Sequence, residues 1–267
     1  MSNEKTSNFS SMFASIVIPA EIVISYLIYN FILGNGSNFE GGDSAMNPLP
    51  GNYLGIIYKG GSIVPILITI NLLVLTFSIE RFLTISKAKG KGRVEPFVRN
   101  IKSMLSGGQI DAAISECDTQ KGSIANVIRS GLNRYKLVEN EGSMDKEGKI
   151  AAIQKELEEA TSLELPMLSK NLVIISTSAS IATLVGLIGT VLGMIKAFSA
   201  LAQAGAPDAV ALANGISEAL INTALGIIGS AIAIVMYNFF TTKIDALTYG
   251  IDEAGFSIVQ TFAASQK

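Results

Sequence analysis

Two long stretches of this chain contain no Asp, Glu, Lys or Arg. The first, residues 171–195, is 25 residues long, and the second, residues 219–242, is 24 residues long. A helix needs about 20 predominantly apolar residues to cross the hydrocarbon core of a bilayer, whereas strands are usually about 3 to 10 residues long. Neither stretch alternates apolar and polar residues as a half-buried strand does. Both stretches are therefore predicted to be membrane-spanning helices.

Two further segments are predicted to span the membrane. Residues 63–79 carry no charge, and residues 12–33 contain Glu21 as their one charged side chain. A secretory signal is the alternative for residues 12–33, but the segment ends in ILGNGSN, which lacks an A-x-A-like cleavage site. Pro19 and Glu21 make it an imperfect span, although neighbouring helices can satisfy both. We therefore expect four spans and an all-α, polytopic helical membrane protein.

The distribution of positive charge predicts the orientation of these spans. Residues 86–170 contain 14 of the 20 Lys and Arg residues, and short loops rich in these residues stay on the cytoplasmic side. The 34–61 loop and the uncharged 201–207 turn are therefore expected to be periplasmic, with the N-terminus inside. The basic residues that follow the second span are either stop-transfer charges or contacts for anionic lipid headgroups: Lys87, Lys89, Lys91 and Arg93.

Helical periodicity continues between the second and third spans. Apolar residues recur at helical spacing over residues 94–105, 110–117 and 124–137, and a polar helix from Lys146 is predicted to run unbroken into the third span, interrupted at most by Pro166. We divide the chain into a membrane helix with a periplasmic loop (1–61), a membrane helix (62–85), a cytoplasmic helical region (86–166), paired membrane helices (167–245) and a cytoplasmic tail (246–267).

Composition excludes many classes of enzyme. The chain has no histidine and one cysteine, Cys117, so it cannot form a Ser-His-Asp triad, a Cys-His nucleophile or a zinc site of the Cys/His type. It has no GxxxxGK[ST] phosphate loop, and its net charge of −2 offers no basic surplus for nucleic acid. We therefore expect no enzymatic activity, no cofactor, no metal and no nucleic-acid partner. Cys117 is assigned no role.

The third and fourth predicted spans are unusually rich in small residues. Glycine and alanine let helices approach closely in a membrane, where no hydrophobic driving force acts between them. Pro207 is expected to open the fourth helix. The pattern predicts close helix packing, either within one chain or between copies of it. The candidate packing residues are Gly186, Gly189, Gly193, Gly226 and Gly229.

Hydroxyl side chains in the same two spans are candidates for a packed or hydrated polar seam. Ser176, Thr183 and Thr190 are seven residues apart and fall along one face of a helix. Each hydroxyl can instead bond to the backbone of its own helix. Counting about 1.5 Å per residue from the turn near Gly205 places Thr190 and Thr223 within about 4.5 Å of the same depth. Their two hydroxyls can thus face one another in mid-membrane.

Glu218 is the charged residue that lies deepest in the fourth span. Counted from Pro207, it lies about 16 Å along a hydrocarbon core of about 30 Å. A carboxylate at that depth costs several kcal/mol unless it is paired, protonated or hydrated. Glu218 is therefore either a functional group or the structural partner of Lys196, which an antiparallel hairpin brings to a similar depth.

These residues carry a resemblance to a known family. The segments LVGLIGTVLGMIKAF and NGISEALINTALGIIGSAIAIVMYN resemble the paired signature of the MotA/TolQ/ExbB proton-channel family, and most of all its ExbB branch. SIERFLTISKAK resembles the end of that family's first core span. The resemblance covers residues 62–245 and is strongest over 184–238. It implies three core spans, to which residues 12–33 add an N-terminal span.

The resemblance also implies a function and partners. Members of the family form a homopentamer in the bacterial inner membrane, around a pore that holds the helices of an ExbD-like single-span partner. Proton entry drives motion that is passed to a TonB-like protein and energises outer-membrane import. The proton-carrying aspartate belongs to the partner, so this chain would supply the polar lining beside it.

Three positions match the family's motifs, and two depart from them. Thr190 matches the threonine of GLxGTVxGM, Glu218 the glutamate of GIxEAL, and Thr223 the threonine five residues later. All three are polar, pore-facing positions in the family. Lys196 stands where histidine or another polar group is expected, and Asn222 has no assigned role.

Three other functions remain open. A TolQ-like envelope subunit, or a gliding or flagellar stator, shares the motif and differs in its partner. An ion-coupled secondary transporter would use Glu218 as its own coupling site, but it predicts an internal repeat of the spans, which the sequence does not show. A purely structural membrane scaffold predicts that Glu218→Ala has no effect.

Overall fold

The structure, a computed structural model, describes residues 2–202 and 208–265, which are mostly α-helical. Within these residues there is no β-strand, and the one extended pairing is an isolated bridge between Phe39 and Pro48. Four helical segments are long and apolar enough to cross a membrane. The prediction of an all-α, polytopic membrane protein is therefore confirmed.

Each of the four predicted spans lies in a helix. In chain order the helices are α1 (Ser2–Leu27), α2 (Tyr53–Tyr58), α3 (Val64–Lys89), α4 (Val94–Ser106), α5 (Ile110–Gln120), α6 (Gly122–Glu139), α7 (Lys146–Ser169), α8 (Leu172–Leu201) and α9 (Ala209–Ser265). The spans lie in α1 with a π-helical continuation (Ile28–Leu33), in α3, in α8 and in α9. With 57 residues, α9 is about 85 Å long and extends far beyond a bilayer core of about 30 Å.

The start of α9 is capped by a side chain. Asp208 Oδ1 accepts hydrogen bonds from the amides of Val210 and Ala211, at 3.0 and 2.9 Å. This carboxylate satisfies amides that have no partner within the helix, and it is favourable at the positive end of the helix dipole. The expected helix start at Pro207 lies outside the described residues, as do the last five residues of the predicted 201–207 turn.

The chain divides into two compact units. The membrane unit comprises residues 1–78 and 173–237, and the second unit comprises residues 79–172 and 238–267. In the membrane unit, the loop between α1 and α3 is organised by Asn38, whose Nδ2 donates to the carbonyls of Ile32 and Leu33 at 2.8 and 3.0 Å. Asn38 Oδ1 accepts a hydrogen bond from Asn52, which also caps α2. These contacts satisfy carbonyls at the end of the first span.

The second unit is a bundle of helices around an apolar core. The amphipathic helices α4, α5, α6 and α7 bury their apolar faces together with the last turns of α9. The described part of the predicted 246–267 tail, residues 246–265, continues α9, and Ile251, Ile258 and Phe262 are buried in this core. The three short helices predicted from periodicity are present, and α4 ends at Ser106, with Gly107 as its C-cap.

The junction of α7 and α8 differs from the prediction. Pro166 lies inside α7, and the interruption falls later, at Lys170 and Asn171. Arg81 explains the position, because its Nη1 donates to the carbonyls of Met167 and Leu168 at 3.2 and 3.0 Å. A guanidinium that binds the last carbonyls of a helix competes with continuation of the helical hydrogen bonds.

The same junction is fixed by an ion pair. Arg81 is 1% exposed and pairs with the carboxylate of Glu80. Glu80 also accepts hydrogen bonds from Asn171 Nδ2 at 3.2 Å and from Thr84 at 3.0 Å. A buried charge requires such partners, because an unpaired one is costly. The two charges that close the second predicted span therefore position the start of α8.

Candidate functional site

The paired helices α8 and α9 approach closely through glycine. A Cβ atom placed on Gly226 would lie 2.6 Å from the carbonyl oxygen of Ala182, and one on Gly193 would lie 2.7 Å from the backbone nitrogen of Ala219. Gly186 faces Gly226, and Gly189 faces the side chain of Asn222. These four predicted packing glycines therefore lie at the contact between α8 and α9 within one chain. Gly229 instead faces Asn71 of α3.

This close approach brings Thr190 and Thr223 together. Thr190 Oγ1 and Thr223 Oγ1 are hydrogen-bonded to each other across the two helices. Thr190 Oγ1 also lies 3.2 Å from the carbonyl of Gly186, one turn earlier in α8. Each hydroxyl can donate one hydrogen bond and accept others. The two hydroxyl oxygens can therefore accept further hydrogen bonds, and they lie in parts of α8 and α9 that contain no Asp, Glu, Lys or Arg.

Glu218 lies one to two turns closer to the start of α9 than Thr223 does, and its carboxylate forms an ion pair with Lys196. Lys196 Nζ donates to Glu218 Oε1 at 2.6 Å and to Oε2 at 2.8 Å. The Glu218 side chain is 12% exposed, whereas that of Lys196 is 59% exposed. The carboxylate also lies beside Gly61, where a Cβ atom would come within 2.5 Å of Oε1. The sequence left two interpretations of Glu218 open, a functional group or a structural partner of Lys196, and the pair with Lys196 is present.

Asn222, which had no assigned role, connects α9 to the beginning of the second span. Its side chain is fully buried, and Nδ2 donates to the carbonyl oxygen of Gly60 at 2.8 Å. Asn222 Oδ1 has no hydrogen-bond partner within the described part of the chain. Because a buried amide is costly unless it is hydrogen-bonded, this contact specifies how the segment before α3 packs on the two helices.

Ser176 and Thr183 lie on the N-terminal side of Thr190 in α8, but they do not form a chain of hydrogen bonds with it. Ser176 donates to the carbonyl of Val173 at 3.1 Å, and Thr183 donates to that of Ala179 at 3.5 Å. Both hydroxyls therefore bond to their own helix, which was the alternative to a polar seam. Of the three, Thr190 is the one with a hydroxyl partner on α9 among the described residues.

The structure adds a second series of hydroxyls, on α9. Thr223, Ser230 and Tyr237 are seven residues apart, so each lies at the depth of one member of the series on the antiparallel helix α8. Ser176, Thr183, Ser230 and Tyr237 line one open groove of about 370 Å³, together with Ala179, Ser180 and Ile234. The spacing of seven in α9 is visible in the sequence and would have identified Ser230 and Tyr237.

A second groove lies on the other side of Thr190 and is apolar. It has a volume of about 610 Å³ and follows α8 toward its C-terminal end. Its lining consists of Thr190, Val191, Met194, Ile195, Phe198, Ser199 and Ala202. Thr190 thus lines the apolar groove, whereas the groove with the other hydroxyl groups begins at Thr183, two turns earlier in α8.

The fold and this site define a multi-pass helical membrane protein with a row of hydroxyl groups between two closely packed spans. Residues 119–253 match the model of the MotA/TolQ/ExbB proton channel family, a range that contains Thr190, Glu218 and Thr223. The match covers half of the chain. The chain therefore belongs to the MotA/TolQ/ExbB proton channel family.

Individual relatives carry two different names. The chain is 29% identical to the biopolymer transport protein ExbB of Pseudomonas putida over 146 residues, which are 54% of this chain and 44% of that protein. It is 28% identical to the Tol-Pal system protein TolQ of Pseudomonas aeruginosa over 124 residues, 46% of this chain and 54% of that protein. The chain thus spans about half the length of these relatives.

Proposed function

We propose that this chain is the channel-forming subunit of an inner-membrane motor that uses the proton motive force to energise TonB-dependent import across the outer membrane. The observation that carries the proposal is the hydroxyl contact of Thr190 with Thr223. The helix segments on either side of it, residues 171–195 and 219–242, contain no Asp, Glu, Lys or Arg. Membership of a proton channel family supports a motor subunit of the ExbB or TolQ type.

The hydroxyl pair is suited to act beside a titrating group that another subunit supplies. A hydroxyl both donates and accepts, so it orients water or a carboxyl group without holding a fixed charge. The carboxylate of Glu218 is bound by Lys196, and it lies closer to the start of α9 than the hydroxyl pair of Thr190 and Thr223. The proton-carrying carboxylate in this proposal therefore comes from an ExbD-like, single-span partner that docks against Thr190 and Thr223.

The route continues along the two series of hydroxyls. Two turns from Thr190 and Thr223, the groove between α8 and α9 is lined by Thr183 and Ser230 and then by Ser176 and Tyr237. In the orientation expected from the basic residues, this direction leads to the cytoplasm. Water in the groove would carry the proton onward once it leaves the partner's carboxylate.

We also propose that five copies of the chain surround the partner helices. The glycines of α8 and α9 are used for packing within one chain, so contacts between copies must use other faces. Apolar side chains on the outer face of α8 are available for this purpose, since Val191, Ile195 and Phe198 are 56–60% exposed. A TonB-like protein would receive the motion that proton entry drives.

The test removes the two hydroxyls and preserves the shape of both side chains. Thr190→Val together with Thr223→Val should reduce partner-dependent import roughly 10- to 100-fold, because a hydrogen bond to a charged group is worth about 1.5–3 kcal/mol. Thr242→Val is the matched control, because Thr242 is exposed on α9 and bonds to its own helix. Unchanged import by the double variant, at a normal protein level, would overturn the proposal.

A TolQ-type function is the second candidate, and the resemblance to TolQ of Pseudomonas aeruginosa is the observation that favours it. The two functions share the chain's site and differ in the partner. Co-purification of a single-span subunit together with a TonB-like protein supports import, whereas co-purification with envelope-constriction components supports the TolQ type. Solute transport by the purified chain alone, in liposomes, would instead favour a secondary transporter.

A further inference from the structure

The first membrane helix carries a carboxyl group that the proposed function does not use. Glu21 lies about 12 Å from Phe13 and about 18 Å from Leu33 along the helix axis, and these two residues bound the apolar segment. The residue is therefore well inside the expected hydrocarbon core. Its side chain is 5% exposed, so the protein itself buries it and lipid is not needed to do so.

Glu21 meets α3 through polar side chains. Its carboxyl group is hydrogen-bonded to the hydroxyl of Thr76. About one turn further along α1, Ser25 Oγ lies 2.6 Å from Thr69 Oγ1. Glu21 Oε2 has no hydrogen-bond partner among the described residues. The carboxyl group therefore has a hydrogen-bond partner for only part of its acceptor capacity among the described residues.

The apolar parts of the spans offer no positive charge to balance an ionised Glu21, and the ammonium groups of Lys59 and Lys196 are bound elsewhere, to the carbonyls of Ser44 and Ala45 and to the carboxylate of Glu218. Residues 13–33 of the first span and residues 64–79 of α3 contain no Lys or Arg, and Glu21 is their one acidic residue. Residues 173–195 of α8 and 219–237 of α9 contribute no Asp, Glu, Lys or Arg. The nearest titratable groups on its own helix are phenols, and that of Tyr29 donates to the carbonyl of Tyr58.

An ionised Glu21 would therefore be a buried charge with one hydroxyl donor. Such a charge costs far more than a buried neutral carboxyl group, which needs fewer hydrogen bonds. We propose that Glu21 is a protonation site of this chain: a neutral carboxylic acid that keeps its proton in the membrane and holds α1 on α3 through Thr76. The site belongs to the chain alone, so it does not rest on the partner or on the import function.

Infrared spectroscopy of the full-length chain in lipid tests this proposal directly. At pH 7 the wild type should show the C=O stretch of a protonated carboxylic acid, and Glu21→Gln should lose it. Glu158→Gln is the matched control, because Glu158 is exposed on α7, and this variant should keep the band. Identical wild-type and Glu21→Gln spectra in the carboxylic-acid region would show that Glu21 is ionised and would overturn the proposal.

Two further arms keep the test decisive if Glu21→Gln fails to fold. Thr76→Val removes the hydrogen-bond partner of the carboxyl group, so the acid band should move to higher wavenumber; an unshifted band contradicts the contact on which the proposal stands. Spectra in sodium and in choline should both contain the acid band. A band that sodium abolishes would assign Glu21 to a cation site and reject the neutral acid.

Discussion

Lys196 and Glu218 form an ion pair whose two members differ in exposure: both carboxylate oxygens lie within 2.8 Å of Lys196 Nζ, yet Glu218 is 12% exposed and Lys196 is 59% exposed. The pair joins the C-terminal part of α8 to the N-terminal part of α9. Because the carboxylate is the more buried partner, it depends on the ammonium more than the ammonium depends on it.

We therefore predict an asymmetric response to removal of either charge. Lys196→Gln leaves a buried carboxylate without its partner and should lower the melting temperature more than Glu218→Gln, which leaves an ammonium able to reach water. The cost of Lys196→Gln should exceed the roughly 1 kcal/mol that is typical of exposed pairs. Thermal unfolding of the purified variants measures the difference, and equal shifts would contradict the prediction.

The charge-swapped double variant separates structure from function at the same site. Lys196→Glu combined with Glu218→Lys restores an ion pair, so it should recover much of the lost stability. If the carboxylate of Glu218 must occupy its own position for import, the swapped protein will be stable and inactive. Recovery of both stability and import would reduce Glu218 to a structural partner of Lys196.

The close packing of α8 on α9 yields the second prediction. A Cβ atom on Gly226 would meet the carbonyl oxygen of Ala182 at 2.6 Å and the Cα of Gly186 at 3.0 Å. Backbone atoms cannot rotate away, so Gly226→Ala must separate the helices and should cost about 1–3 kcal/mol. Gly142→Ala is the control, because nothing lies within 4 Å of a Cβ atom there. A Gly226→Ala protein with wild-type thermal stability would show that the helices can move apart freely.

Much of the fold and part of the site could be predicted from residue spacing. The spans follow from runs of uncharged residues, and the contact of Thr190 with Thr223 agrees with residues counted along an antiparallel hairpin. Both features depend on the fixed rise of an α-helix. Periodicity likewise located α4, α5 and α6.

The remaining features depend on contacts between residues distant in sequence. Asn222 bonds to Gly60, 162 residues earlier, and Arg81 bonds to the carbonyl of Leu168, 87 residues later. Helical periodicity contains no information about which polar groups from separate elements meet. The sequence therefore predicts a helix that is unbroken, or interrupted at most by Pro166, and it does not predict the break at Lys170 and Asn171, because the competing guanidinium is not visible in the local sequence.

The third prediction concerns assembly. In mild detergent the native complex should have five times the chain mass of 28.2 kDa, with or without the mass of a small single-span partner. Replacing exposed apolar residues of α8, for example Val191→Asp with Phe198→Asp, should dissociate it if this face lies between copies. Leu163→Asp is the control, because Leu163 is also exposed but belongs to α7. A monomeric or dimeric wild-type mass would contradict the pentamer.

Cys117 provides a prediction about pH. The side chain is 2% exposed in the core of the second unit, and burial, with Asp118 and Glu116 nearby, raises the pKa of its thiol to about 12. At pH 8 the thiolate is the reactive form, so the folded protein should react with a thiol reagent on the order of a thousandfold more slowly than the unfolded chain. Ser115→Cys in a Cys117→Ala background is the exposed control on the same helix.

The direction of the stability change at high pH follows from the same pKa. Because the folded state keeps the Cys117 proton to a higher pH than the unfolded state, folding binds more protons between the two pKa values. The contribution of the thiol to stability is therefore full below the unfolded pKa and is lost as pH rises toward about 12. Cys117→Ala should remove this part of the alkaline decline in stability, and rapid labelling of native Cys117 at pH 8 would contradict the assigned pKa.

The last prediction tests whether the polar groove continues the ion route beyond the threonine pair. Tyr237→Phe removes one hydroxyl from the groove and leaves the ring in place, so proton flux through the reconstituted assembly should fall while thermal stability is retained. Ser230→Ala combined with Thr183→Val should reduce the flux further, because both hydroxyls at the next depth are lost. Tyr249→Phe is the control, because Tyr249 is 70% exposed on the same helix. If Tyr237→Phe and Tyr249→Phe conduct equally, the route leaves the two helices at Thr190 and Thr223 and the groove is only a packing feature.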